Sequence, residues 1–261
     1  MVRPSLKHTL RAGRLTIGAW VTLAHPALAE ILARAGFEWV VVDLEHSVIT
    51  LREAEELIRV IALCGSTPLV RVSANEPTQI KRVMDAGAHG VIVPQVNSRA
   101  EAESAVAAVY YPPRGRRGVG LARAQGYGTT FEAYCRWLDR HALVIVQLEH
   151  RDAAEAAEEI LSVPGVDGYL IGPYDLSASF GVPGQFHHPA VQSAMRRIRQ
   201  AARHAGVPGG VHVIQPDVAE LVRHAKAGFS ILAYSLDILL IGATARRDLA
   251  LIHRQLARRN R

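Results

Sequence analysis

Short, nearly continuous apolar runs alternate along the chain with longer stretches in which apolar residues recur every three or four positions. The first pattern suits strands covered on both faces, the second amphipathic helices. Strands are predicted at 16–23 (TIGAWVTL), 39–46 (WVVVDLEH), 67–72 (TPLVRV), 90–96 (GVIVPQV), 143–150 (LVIVQLEH), 166–173 (VDGYLIGP), 209–214 (GGVHVI) and 229–237 (FSILAYSLD). Helical stretches such as PALAEILARAG, TLREAEELIRVIALCG, EPTQIKRVMDAG and PDVAELVRHAKAG lie between them. Gly36, Gly87, Gly206 and Gly228 follow helical stretches directly, where a left-handed residue ends the helix and releases the next strand.

Eight strands, each followed by a helix, in 261 residues predict an α/β fold of the (β/α)8 barrel (TIM-barrel) type, a single domain over residues 1–261. A doubly wound sheet is the alternative, but its Gly-rich turn is missing from TLAHPALAE after the first strand. The glycine-rich GVGLARAQGYG (118–128) follows no strand and reads as a long loop, with FEAYCRWLDRH as an inserted helix.

Composition narrows the class. With 49% hydrophobic residues the chain can bury a sizeable core, and its two cysteines exclude a disulfide framework or a paired-cysteine zinc motif. No stretch is apolar enough for a signal peptide or a membrane span, so a soluble cytoplasmic protein without a membrane partner is expected. The net charge of +6 raises the question of nucleic acid. Its arginines are spread along the chain without interleaved aromatics, which argues for a solvated surface instead.

Active sites of parallel barrels lie at the C-terminal strand ends. Those ends carry Asp43, Glu45 and His46, then Arg71, then Gln147, Glu149 and His150, with Asp175 and Asp237 after the sixth and eighth strands. Glu149 and Asp175 come from adjacent strands. Two carboxylates completed by water and substrate oxygens suit a hard divalent ion such as Mg²⁺ or Mn²⁺. Asp175 opens a short helical turn whose free N–H groups are placed to hold a substrate carboxylate. The three lysines, Lys7, Lys81 and Lys226, lie away from the strand ends, which removes Schiff-base chemistry. Metal-assisted enolate chemistry on a small carboxylate remains. His150 and His212 read as structural.

VVDLEHS, PLVRV, QIKRVMDAGAHGVIVPQV, YYPPRGRRGVG, VIVQLEH and GVDGYLIGPYDLSASFG, in this order, resemble the HpcH/HpaI aldolase family, metal-dependent class II aldolases of 2-oxo acids. The resemblance implies a barrel of the phosphoenolpyruvate/pyruvate-binding type and reversible cleavage of a 4-hydroxy-2-oxo acid to pyruvate and an aldehyde. It places the metal (Mg²⁺ or Mn²⁺, with Co²⁺ as a substitute) on Glu149 and Asp175. Arg71 then stabilises the enolate, His46 acts as general base supported by Asp85, and Gln147 with the backbone of Tyr174 and Asp175 positions substrate. A citrate-synthase-like or citryl-cleaving enzyme on the same scaffold is the alternative. The resemblance also implies a homo-oligomer, a hexamer or another trimer-based assembly, with C-terminal helices exchanged. Leu239, Leu240, Leu249, Ile252 and Leu256 of that segment are candidates for the interface. Tyr174, Gln95 and Tyr234 depart from the family's usual residues, and Tyr174 and Tyr234 are expected to narrow the mouth.

Overall fold

The computed structural model describes residues 5–259. Eight parallel strands form a closed barrel in chain order: β1 (Thr16–Val21), β2 (Trp39–Asp43), β3 (Thr67–Arg71), β4 (Gly90–Val93), β5 (Leu143–Leu148), β6 (Gly168–Ile171), β7 (Gly209–Val213) and β8 (Ile231–Leu236). Every strand falls within a predicted run. Around them lie α1 (Leu6–Arg11), α2 (Pro26–Arg34), α3 (Leu51–Leu63), α4 (Pro77–Asp85), α5 (Arg99–Val109), α6 (Phe131–His141), α7 (Arg151–Glu155), α8 (Ala157–Leu161), α9 (Pro173–Ser179), α10 (Pro189–Ala205), α11 (Val218–Lys226) and α12 (Asp237–Arg259). The inserted helix is α6. Gly36, Gly87, Gly206 and Gly228 all take positive φ, as their places behind helices require.

Several strands stop earlier than the apolar runs predict. β2 ends at Asp43 because that carboxylate accepts from the amides of Glu45 (3.0 Å) and His46 (3.4 Å) and turns the chain. β4 ends before Pro94, which has no N–H to continue a ladder. Consequently Glu45, His46 and Glu149 stand on loops just beyond the strands rather than within them.

Alternation along each strand divides the core in two. Val40, Val42, Val144 and Val146 face outward under the helices, while Trp39, Val41, Leu69, Ile145 and Leu170 fill the barrel. The inward positions follow a period of two, so Trp39 and Val41 lead to Asp43, Leu69 to Arg71, and Leu143 and Ile145 to Gln147. The chemistry is the topmost layer of the barrel filling. Asp43 and Arg71 are also register partners on β2 and β3.

At the opposite end α1 closes the barrel, with Leu6 and Leu10 joining the inner cluster. Lys7 is buried there. Its ammonium donates to Asp167 (2.8 Å), the Ala142 carbonyl (2.6 Å) and the Tyr110 hydroxyl (3.1 Å). Burial pulls its pKa down, against the pull of Asp167.

Candidate active site

A cavity of about 330 Å³ opens at the C-terminal ends of the strands and is lined by Asp43, His46, Arg71, Gln147, Glu149 and Asp175, among others. A larger cleft of about 670 Å³ lies beneath α1 around Arg14, His89 and Trp137, at the N-terminal strand ends and away from these groups.

Arg71 is the hub of the mouth. Its Nε and Nη2 donate to the two oxygens of Asp43 at 2.9 and 2.6 Å. Nη1 lies 3.1 Å from Glu45 Oε2, which has no aligned hydrogen bond. Burial opposes the arginine's charge, but the bonds to Asp43 and the attraction of Asp43, Glu45 and Glu149 hold its pKa above the ordinary value. The guanidinium stands 5.7 Å from the Trp20 ring, and Trp20 stacks on His212 at 4.4 Å. Two side chains from β2 and its loop, and an indole from β1, therefore fix the orientation of one cation.

Glu149 is only 1% exposed. One oxygen accepts from the Gln95 amide at 2.9 Å, the other from the Gln147 side chain. Gln95 presents that amide from a left-handed backbone (φ 52°), a conformation costly for a residue with a side chain. The close approach of the β6 turn requires Gly172, since a Cβ there would lie 2.4 Å from Glu149 Oε2. Burial pushes the Glu149 pKa up to about 7 despite those two hydrogen bonds, with Glu45 and Asp175 raising it further. Burial and the neighbouring Asp43 and Asp175 likewise push Glu45 up to about 7, against Arg71.

Four carboxylates thus share one arginine, and that arginine is committed to Asp43 and Glu45. Among the described residues, neither Glu149 nor Asp175 has a cationic side chain in ion-pair range. A divalent cation fits this deficit, since it would neutralise a buried carboxylate that has no cationic side chain beside it among the described residues. The described residues offer no group of three or more His, Cys, Asp or Glu for one ion. The two carboxylates would then leave the remaining coordination to water and substrate oxygens, as Mg²⁺ and Mn²⁺ accept.

His46 sits on the rim, 63% exposed, with Nε2 3.8 Å from Glu45. Asp175 and Tyr174 lie in the first turn of α9, whose cap, Gly172, contributes no side-chain bond to the helix amides. Asp85 is elsewhere. It ends α4, which runs back from the mouth to the opposite rim, and its carboxylate accepts from Arg117 (2.5 Å) and Gln125 (3.2 Å). The expected His46–Asp85 pair is not formed within the chain, because the two stand at opposite ends of the barrel wall.

Asp237 staples α12 to β1, accepting from the Thr22 amide (3.0 Å), its hydroxyl (2.7 Å) and the Leu23 amide (2.9 Å). His150 caps α7, accepting from Asp152. His212 does line the mouth. Burial drives its pKa down to about 4, and one ring nitrogen lies 3.1 Å from the Ser235 carbonyl. It is a neutral wall. Tyr174 lines the mouth, whereas Tyr234 packs into the outer core and does not. Sequence reasoning passed over Trp20 and the backbone of Gln95; an aromatic inside a strand reads as core, and an amide leaves no signal in the side-chain alphabet.

A barrel with a carboxylate-rich, arginine-centred mouth at its C-terminal strand ends suits a carbon–carbon lyase, and the sequence matches the HpcH/HpaI aldolase/citrate lyase family over residues 16–240. The chain belongs to that family. It is 42% identical over 244 residues to a hydroxypyruvate/pyruvate aldolase of Sagittula stellata, covering 92% of this chain and 95% of the relative. Identity to a 4-hydroxy-2-oxo-heptane-1,7-dioate aldolase of Salmonella paratyphi C is 39% over 246 residues, covering 94% and 92%. Among solved structures, an HpcH/HpaI aldolase/citrate lyase family protein from Burkholderia cenocepacia superposes with a TM-score of 0.90 at 34% identity, covering 95% of this chain and 98% of that one.

Proposed function

We propose that the protein catalyses reversible, divalent-metal-dependent aldol cleavage of a 4-hydroxy-2-oxo acid to pyruvate, or a close 2-oxo acid, and an aldehyde. The observation that carries this reading is the pair Glu149 and Asp175, carboxylates with no cationic side chain in ion-pair range among the described residues, beside an arginine oriented by Asp43 and Glu45. A divalent cation on that pair, Mg²⁺ or Mn²⁺ with Co²⁺ as a substitute, would polarise the 2-oxo group and offset enolate charge.

The chain's own groups divide the rest. Arg71 faces the 2-oxo oxygen and stabilises the negative charge that grows on it. His46 takes the proton of the 4-hydroxyl as the C3–C4 bond breaks. The electron pair of that bond passes into the enolate, and a proton taken up at C3 completes pyruvate. Gln147 holds Glu149 and borders the substrate, while the amides of Tyr174 and Asp175 receive the carboxylate. Asp85 can support only the His46 of a neighbouring copy. The proposal therefore includes a homo-oligomer, a hexamer or another trimer-based assembly, in which α12 packs on an adjacent barrel. The partners are small molecules in the cytoplasm. Among the described residues, no helix is long and apolar enough to cross a membrane.

Incubation with pyruvate, Mg²⁺ or Mn²⁺ and a panel of aldehydes, with pyruvate consumption followed, tests the reading. Consumption that requires both metal and aldehyde is expected. No consumption with any aldehyde, or full activity after exhaustive chelation, would contradict it.

A further inference from the structure

Resting on the aldolase reading, we infer that the aldehyde half of the site is built for an uncharged, apolar aldehyde and discriminates against one bearing a carboxylate, with Tyr174 as its specificity-determining wall. Besides its charged groups, the cavity is lined by Leu170, Ile214, Leu236, Ile238 and Tyr174, which give it an apolar wall. Tyr174 and Ile238 are 55% and 45% exposed, so an aromatic and an aliphatic side chain stand open to solvent at the rim of a charged pocket. Such open apolar surface is expected where it meets a ligand.

Tyr174 is braced. Its ring meets Phe186 edge-on at 4.8 Å, and the Phe186 carbonyl is held by Gln192 at 2.7 Å. The loop carrying Phe186 is tied back by the Gly184 amide donating to Ser177 (2.9 Å), a residue of the same α9 that carries Tyr174. The ring is thus supported from the Phe186 side.

The charge inventory points the same way. Among the described residues that line the cavity, Arg71 is the only Lys or Arg. Two of its nitrogens are engaged by Asp43 and the third faces Glu45. His212 is held neutral by burial. A distal carboxylate laid against the apolar wall would lose water without a polar side chain of that wall to receive it. An alkyl or aryl group would instead cover apolar wall.

The test compares pentanal with 4-oxobutanoate, aldehydes of similar size that differ by the carboxylate, as acceptors for pyruvate with the metal-loaded protein. Wild type is expected to favour pentanal by at least about tenfold in kcat/KM, the lower end of what one well-matched apolar contact gives. Tyr174→Ala should bring that ratio towards unity mainly by raising KM for pentanal, and Tyr174→Phe should retain it. Exchange of the pyruvate methyl protons into deuterated solvent, measured without aldehyde, separates the two layers of the argument. Exchange together with equal or better use of 4-oxobutanoate overturns the inference and leaves the aldolase reading standing. Absence of exchange and of turnover with either aldehyde overturns both. A pentanal preference that survives Tyr174→Ala intact removes Tyr174 from the specificity wall.

Discussion

Glu149 and His46 make separable demands on the chemistry. Glu149→Gln removes a charge while keeping the shape that Gln95 and Gln147 hold. Mn²⁺ affinity, read by calorimetry, should fall by more than about tenfold, since loss of even a supporting residue acts on that scale. Unchanged affinity would take Glu149 out of the metal site. His46→Ala should slow aldol cleavage by about 10²–10⁴-fold, the scale of a lost general base. Exchange of the pyruvate methyl protons should suffer much less, because His46 serves the hydroxyl and not C3. Equal loss of both would assign His46 to the enolate step. The residues carrying these predictions were legible as ionisable groups breaking off apolar runs at Asp43–His46 and Gln147–Glu149. The support around them was not. Trp20 stacks on His212 and flanks Arg71, yet in TIGAWVTL it is one more apolar letter. Gln95 drew notice only as an odd residue in VPQV, and its contribution is a main-chain amide at positive φ. Asp85 shows the converse: the letter was visible, and the direction of α4 keeps it from its own chain's His46.

At the scale of elements, α1 and α6 cover the N-terminal end of the barrel, and each carries a buried ionisable contact. Replacing Lys7 with Met would leave Asp167 buried without its main cation and should cost about 3–5 kcal/mol in chemical denaturation. Asp167→Asn in the same chain should recover part of that loss, and a Lys7→Met variant of wild-type stability would show the ion pair to be dispensable. His89 abuts Trp137 of α6 with ring centres 4.7 Å apart. Burial, with Arg123 and His141 nearby, brings its pKa down from 6.5 to about 4. As pH falls between those values the unfolded chain binds a proton at this residue that the folded chain refuses. Wild-type stability relative to His89→Gln should therefore be constant above about pH 6.5 and decline from there towards pH 4. A difference that does not vary with pH would show that His89 is not held neutral. The elements themselves were the most readable part of the sequence, because period-two and three-to-four periodicities are imposed by burial. Their ends were less so, since Asp43 and Pro94 stop strands through single hydrogen bonds that hydropathy does not register.

At the scale of the whole molecule, α12 extends beyond the barrel with Ile241, Leu249, Ile252 and Leu256 about half exposed. The last three repeat at helical spacing and form one apolar stripe. Light scattering should report a mass several times 28.4 kDa, and charged substitutions along that stripe should lower it. A monomer at micromolar concentration would reject the assembly and, with it, any partnership between Asp85 and His46. The central claim is that this barrel mouth makes a pyruvate enolate on a divalent cation, and proton NMR of pyruvate in deuterated buffer tests it most directly. The methyl signal should decay in the presence of the protein with Mg²⁺ or Mn²⁺, stop decaying after chelation, and resume when metal is restored. A methyl signal that persists with metal present, or that decays equally fast in metal-free protein, would contradict it.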